Sequence, residues 1–453
     1  MNKIVDNWVD AHKDSMISDI QKAVAINSVS STAAGPGMPF GKECRDVLDF
    51  VHGICDGFGF AFTNMDGYIG FADEGEGNET LGILTHLDIV PAGNGWSSDP
   101  FSAHIIDGDL IGRGVLDDKG PAICSIYALA AVKAAGIPFK RKVRLIFGCD
   151  EEKNMGCLKH YISHEKLPDF SFSPDAEYPL VNAEKNIFHA RYSKKYPSCI
   201  KMNAGTVVNA VPSTAEAMFP VDIEVIREAI PNPDWFSIEP VHNGTKVIAQ
   251  GISAHASLPE AGANAIQRMI CLMKELPFPA ADQEILQMLW KRFGLEYNGE
   301  SANLAFSDPS GKLTLNLGLI NWDESGFSVE LDIRSPIHIT DTILLEKLDA
   351  IFNTVGCERI RYDFSLGYCL STDDQLVQSL LSIYRERTGD MSPPRQLGCG
   401  TYARHIKNAV AFGPERSNRI NRIHMADESA PVDDLIENTK LIADAIIALA
   451  CSV

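Results

Sequence analysis

The sequence predicts an α/β protein with a mostly parallel sheet, interrupted by a smaller α+β domain. Apolar runs of strand length alternate with helical patterns over the first third. The middle carries paired strand-like segments, and the last segment returns to alternation. Strands that alternate with helices need crossover connections, which give a parallel sheet covered on both faces. The return of the pattern predicts an insertion, with 1–186 and 368–453 forming one domain and 187–367 the other. A chain of 453 residues also exceeds what one core usually fills.

The N-terminal segment reads as an amphipathic helix, with Ile4, Trp8, Ile17, Ile20 and Val24 as inward positions. Leu81–Val90 is an apolar run of strand length. Pro121–Ala135 reads as a helix, because Pro121 suits a first turn and Gly136 a stop. Lys142–Cys149 and Phe170–Ser173 read as strands. In the middle, Lys246–Gln250 is a strand and Asn264–Leu276 a helix. Leu313–Leu319 and Phe327–Ile333 form a strand pair around a polar turn, and Asp341–Val355 is a helix followed by a strand at Arg359–Phe364. The last segment offers a helix at Asp374–Arg387, a strand at Ala409–Phe412 and a helix at Val432–Cys451.

Asp plus Glu number 60 against 40 Lys plus Arg, a formal charge of −20. That excess opposes binding to nucleic acid or to anionic membrane. No apolar run approaches the roughly twenty residues of a membrane span, and the first residues lack a signal-peptide core. Eleven cysteines without a Cys-x-x-Cys pair read as thiols in a cytoplasmic chain. Cys149, Cys157 and Cys399 read as small core residues.

Several motifs fail. Gly41-Lys42 lacks the first Gly and the Ser/Thr of a phosphate loop, since Pro36 and Glu43 stand there. His164-Glu165 lacks the second His of a zincin helix. Gly251-Ile252-Ser253-Ala254 ends in His255 where a nucleophile elbow needs Gly. Gly398-Cys399-Gly400 is too short for a dinucleotide fingerprint.

One constellation survives. Three strand-like runs end in Thr85-His86-Leu87-Asp88, Cys149-Asp150-Glu151-Glu152 and Ser173-Pro174-Asp175. Ligands bind at the carboxyl edge of open parallel sheets, so His86, Asp88, Glu151, Glu152 and Asp175 are expected to converge there. The glycine-flanked loop Gly112–Gly120 delivers Asp117 to the same edge. Alone, each acid reads as a helix cap and the His as a hydrogen-bonded core residue. Together they read as a site for Zn²⁺, Mn²⁺ or Co²⁺. His86 and Asp88 share a strand face, so Asp88 is placed to orient the imidazole. Of Glu151 and Glu152, one is expected to bind metal and one to take a proton from water.

His86-Leu87-Asp88-Ile89-Val90-Pro91, Gly112-Arg113-Gly114, Asp117-Asp118-Lys119-Gly120-Pro121, Asp150-Glu151-Glu152 and Pro174-Asp175-Ala176-Glu177 stand in an order that resembles the M20 metallopeptidases. Within them, the resemblance is to the PepV-type dipeptidases and the carnosinases, over essentially the whole chain. It implies a zinc-dependent exopeptidase-like catalytic domain carrying an inserted lid, 187–367. It implies two Zn²⁺ ions, with Mn²⁺ or Co²⁺ as substitutes. Asp117 would bridge them, His86 and Asp175 would complete one site, and Glu152 and His424 the other. Asp88 would orient His86, and Glu151 would be the general base. The resemblance also implies a cis peptide between Asp117 and Asp118. From the insert, His255 would donate to the oxyanion, and Asn209 and Arg334 would hold the substrate's carboxylate. The run Gly398–Arg404, with Thr401, resembles a substrate-lining loop, and Cys399 stands where relatives more often have Gly.

The expected activity is hydrolysis of a small dipeptide by a cytoplasmic monomer or homodimer, without nucleic-acid or membrane partners. An M20 deacylase acting on N-acyl amino acids uses the same metals with a different pocket. A non-catalytic binding protein on this fold would have lost a ligand or the base, and every matched position here is filled.

Overall fold

The computed structural model describes residues 2–420 and 422–451. The chain forms two compact units. One comprises 1–182, 370–395 and 401–453, and the other comprises 183–369 and 396–400.

The first unit is built on a mixed sheet with a parallel centre. Lys142–Gly148 lies beside Thr80–His86, which lies beside Phe170–Ser173, which lies beside Ala409–Ala411, all parallel. The antiparallel hairpin of Ala61–Met65 and Ile69–Glu74 extends one edge. Thr80–His86 and Lys142–Gly148 are buried at nearly every position rather than at alternate ones. Both faces are therefore covered, as a parallel sheet requires. The helix Lys119–Ala134 is buried from Lys119 to Val132, and it packs against Lys3–Val24 and Val432–Ile446. A helix apolar all round belongs in a core.

The register aligns the strand ends. His86 pairs with Gly148, and Ser173 pairs with Ala411. Residues just beyond these pairs therefore emerge at one edge. Gly148 is required by packing, because a Cβ there would run into the Tyr402 hydroxyl.

The second unit is an eight-stranded antiparallel sheet. Its order runs Phe236–Val241, Gly244–Gln250, Thr214–Phe219, Lys201–Ala204, Thr314–Asp323, Gly326–Ser335, Asn186–Lys195 and Glu358–Ser365. Residues alternate between buried and open along Thr214–Phe219 and Gly244–Gln250. The buried face meets Ala265–Met273, Ala280–Phe293 and Asp341–Phe352 in one apolar core.

Several expectations shift. Ile17, Ile20 and Val24 face the core as expected, but in the first two turns Val5 and Val9 are buried while Ile4 is 65% exposed and Trp8 is half-buried. The first apolar run forms a strand only to His86. The helix expected from Pro121 begins at Lys119. Asn264 and Asp374 are N-caps whose carboxamide and carboxylate oxygens accept main-chain N–H groups, and their helices begin one residue later. The last helix gives way at Ile447–Cys451 to a wider turn. None of the cysteines is joined in a disulfide among the described residues; Cys149 and Cys157 are buried, but Cys399 is only half-buried, not a core residue. No helix of the described residues is long and apolar enough to cross a membrane.

Candidate metal centre

The sheet's carboxyl edge gathers the polar residues of the first unit. His86 closes its strand and is 1% exposed. Its Nε2 lies 2.9 Å from Asp117 Oδ1 and 3.8 Å from Asp175 Oδ2. The other oxygen, Asp117 Oδ2, lies 2.9 Å from His424 Nε2, which is 3.1 Å from Glu152 Oε1. Asp117 thus offers one oxygen to each imidazole. Two groups share it: His86 with Asp175, and His424 with Glu152. Ligand atoms of His86, Asp117 and Glu152 lie within 4.8 Å of one another. The peptide bond from Asp117 to Asp118 is cis.

The electrostatics call for cations. Burial opposes charge on the His86 ring, yet hydrogen bonds to Asp117 and Asp88 hold its pKa well above the usual value. His424 is raised in the same way, with Asp117 and Glu152 outweighing burial. Asp117 is lowered against its own burial by His424 and His86. Asp175 is pushed well up by burial and then by the charges of Asp117 and Asp118. Protons thus hold together acids and imidazoles at distances that divalent ions would span. Nitrogen and carboxylate donors in this mixture suit zinc and its near neighbours.

Three consecutive acids divide the work at the end of Lys142–Gly148. Asp150 accepts Ser30 Oγ–H at 2.6 Å and, at 3.0 Å, the N–H of Gly156, the first residue of the helix Gly156–His164. Glu152 faces His424. Glu151 Oε1 is buried and has no hydrogen-bond partner among the described residues. Burial, followed by the charges of Asp175, Glu152 and Asp88, raises the Glu151 pKa well above its usual value, against the pull of His86.

Asp88 is wholly buried. His86 Nδ1 lies 3.0 Å from the Asp88 main-chain oxygen and 3.5 Å from its carboxylate. The carboxylate accepts the main-chain N–H of Glu151 at 3.0 Å and of Glu152 at 3.1 Å. Strand periodicity pointed to the imidazole contact but not to these two bonds.

The second unit brings two of its candidates together. Ala256 N–H donates to the Asn209 carbonyl at 2.9 Å, and Val211 N–H donates to the Ala254 carbonyl at 2.8 Å. His255 is exposed, and its Nδ1 accepts the Ser257 N–H at 3.2 Å. A neutral ring in that arrangement carries its proton on Nε2, which makes Nε2 a donor. Arg334 is 3% exposed. Its Nε and Nη2 both donate to Asp332 at 2.6 Å, and its Nη1 donates to the Gly398 carbonyl at 2.8 Å. Asp332 also meets His189 at 2.9 Å. Three of the five guanidinium N–H groups are thus engaged within the unit. Thr401, in the first unit, is buried and accepts the Ala403 N–H at 3.1 Å, capping a short turn.

Paired imidazoles and carboxylates at the carboxyl edge of a parallel sheet are the donor set and the place of a divalent-metal site. The family model of Peptidase family M20/M25/M40 matches residues 82–448. The chain belongs to this family, and it is a metallopeptidase-family enzyme that depends on a divalent metal.

The chain is 34% identical to the YtjP protein of Bacillus subtilis (strain 168), over 98% of this chain and 100% of that one. It is 31% identical to a Beta-Ala-Xaa dipeptidase of Lactobacillus delbrueckii subsp. lactis, over 97% of both. Among solved structures, the di-peptidase Dug1p from Saccharomyces cerevisiae superposes with a TM-score of 0.61 at 14% identity, covering 98% of this chain and 97% of that one. Human carnosine dipeptidase 1 gives 0.60 at 15% identity, covering 98% of both. These two share the fold.

Proposed function

We propose that the protein is a dipeptidase that uses two divalent ions, zinc with manganese or cobalt as substitutes. The observation that carries this reading is Asp117, with one oxygen turned to His86 and the other to His424. His86 and Asp175 would hold one ion, His424 and Glu152 the other, and Asp117 both. Bound there, the ions would supply an activated water and polarise the scissile carbonyl.

The chain's own groups do the rest. Glu151 takes the proton from the water on Oε1, the oxygen left without a partner, and returns it to the leaving amine. Asp88 holds the Glu151 and Glu152 backbone. His255 donates from Nε2 to the developing oxyanion. Arg334 and Asn209 receive the substrate's carboxylate, Arg334 through the N–H groups that Asp332 and Gly398 do not take. Thr401 lines the substrate loop. We assign the catalytic role to the unit of 1–182, 370–395 and 401–453 and the lid role to that of 183–369 and 396–400, bounds that differ from 1–186, 187–367 and 368–453 by a few residues and by the segment 396–400. We assign the enzyme to the cytoplasm, where unbridged cysteines persist.

The activity named for the Lactobacillus relative, a Beta-Ala-Xaa dipeptidase, supports dipeptides over N-acyl amino acids. The test is elemental analysis with a turnover panel of dipeptides, N-acetyl amino acids and N-succinyl amino acids. Two ions and dipeptide turnover are expected. Turnover of acylated amino acids alone would make the enzyme a deacylase, and a chain that binds no metal would end the reading.

A further inference from the structure

Glu428 lies four residues beyond His424 and is 0% exposed. Its Oε1 accepts three main-chain N–H groups, from Gly114 at 3.1 Å, Leu116 at 3.0 Å and Asp117 at 3.2 Å. Its Oε2 receives Arg113 Nη1 at 2.6 Å. Its main-chain carbonyl accepts the Gly112 N–H at 2.9 Å. One residue of the His424 segment therefore holds the whole run that carries Asp117.

Arg113, 1% exposed, carries the connection further. Its Nη2 donates to the Met425 carbonyl at 3.1 Å and to the Ala92 carbonyl at 3.4 Å. Its guanidinium lies 5.3 Å from the centre of the Trp96 ring, and Trp96 Nε1 donates to the same Ala92 carbonyl at 2.7 Å. Asp427 accepts both the N–H and the hydroxyl of Ser97, at 2.9 and 2.8 Å. The loop after His86, the loop of Asp117 and the loop of His424 are thus tied together, through the buried Arg113–Glu428 pair and, nearer the surface, through Ser97 and Asp427.

A buried ion pair is weak evidence for stability, since desolvation offsets its attraction, and its better-attested use is to fix one arrangement. The arrangement here needs fixing. His424 has φ of 63° and Asp427 φ of 56°, the left-handed region, which non-glycine residues adopt uncommonly and His and Asp more often than most.

We infer that Glu428, paired with Arg113, is a positioning residue for the metal centre. It sets Asp117 and His424 at their mutual distance before any ion arrives. This rests on the two-ion reading above.

The test is Glu428→Gln in the full chain. The amide oxygen can still accept the three N–H groups, but the amide nitrogen then opposes the Arg113 guanidinium, donor against donor. Zn²⁺ affinity is measured by chelator competition, well below the Tm of the metal-free variant. Partners that orient metal ligands typically change affinity about 10- to 100-fold, and a loss of that order is expected, with excess Zn²⁺ restoring kcat towards wild type. A lower Tm with wild-type affinity would mean a purely structural role and overturn the inference. If Glu428→Gln does not fold, Arg113→Lys decides. It keeps a cation beside Oε2 and loses the fork to Met425 and Ala92, so weaker Zn²⁺ binding is expected, and wild-type affinity overturns the inference. A wild-type chain that binds no Zn²⁺ would defeat the two-ion reading itself. A wild type with two ions and a variant that binds them equally well would defeat only the role of Glu428.

Discussion

Asp88 Oδ1 accepts the main-chain N–H of Glu151 at 3.0 Å. The residue beside one candidate ligand thus sets the backbone of the candidate base. Asp88→Asn keeps the size but turns an amide N–H₂ towards one of the two main-chain donors. We expect kcat to fall about 10- to 100-fold, the usual range for such supporting contacts, with metal content retained. Paired kinetics and elemental analysis check this, and unchanged kcat would refute it.

Asp117→Ala removes the oxygens facing both imidazoles. Loss of both ions and of nearly all activity is expected. Retention of two ions per chain would show that Asp117 is not shared.

Glu151→Gln leaves shape and hydrogen-bonding capacity close to wild type but cannot take a proton. Metal content should hold while kcat drops by roughly 10²–10⁴, the range for general base catalysis. If Glu151→Gln loses metal and Glu152→Gln keeps it, the two roles are exchanged.

A dipeptide, its C-terminal amide and the matching tripeptide test Arg334. A hydrogen bond to a charged group contributes roughly 1.5–3 kcal/mol, so amidation should lower kcat/KM about ten- to a hundredfold. Because Asp332 already takes Nε and Nη2, Arg334→Lys should also disturb the Asp332–His189 contact. Equal kcat/KM for the three substrates would rule out a carboxylate clamp.

His405 gives a pH prediction away from the metals. Burial, then the charges of Arg404 and Lys159, lower its pKa to about 4. The unfolded chain takes up the proton near pH 6.5 and the folded one does not, so stability falls as pH drops from 6.5 towards 4. The slope from this group approaches about 1.4 kcal/mol per pH unit. His405→Gln should flatten it. Urea midpoints of both proteins across that range measure the difference, and parallel curves would exclude the effect.

The sheet was legible where burial is continuous. Thr80–His86 and Lys142–Gly148 are mostly apolar and buried at nearly every position, Arg144 being the charged exception, and their ends marked His86, Glu151 and Glu152. The helix Lys42–Gly57 escaped notice because Gly41, a glycine with φ of 98° and no side-chain cap, precedes it. His424 escaped a reading from pattern alone because it lies in a loop with φ of 63°, outside any periodic element, and only the family resemblance pointed to it. Nothing local to Glu428 in the sequence shows that its partners are the main-chain N–H groups of Gly114, Leu116 and Asp117. Arg334 pointed to a carboxylate, and Asp332, two positions earlier on the same strand face, already supplies one.

The parallel centre of the first unit draws strands from 80–86, 142–148, 170–173 and 409–411. The antiparallel unit lies almost entirely within one unbroken stretch, 183–369. During synthesis, that stretch can close on itself while its neighbour still lacks Ala409–Ala411, His424 and the helix Val432–Ile446 that covers Lys119–Ala134. The apolar flank of Lys119–Ala134 must therefore wait, exposed or chaperoned, for residues made last. A chain released at residue 408 would carry every segment of the insert on an unfinished enzyme.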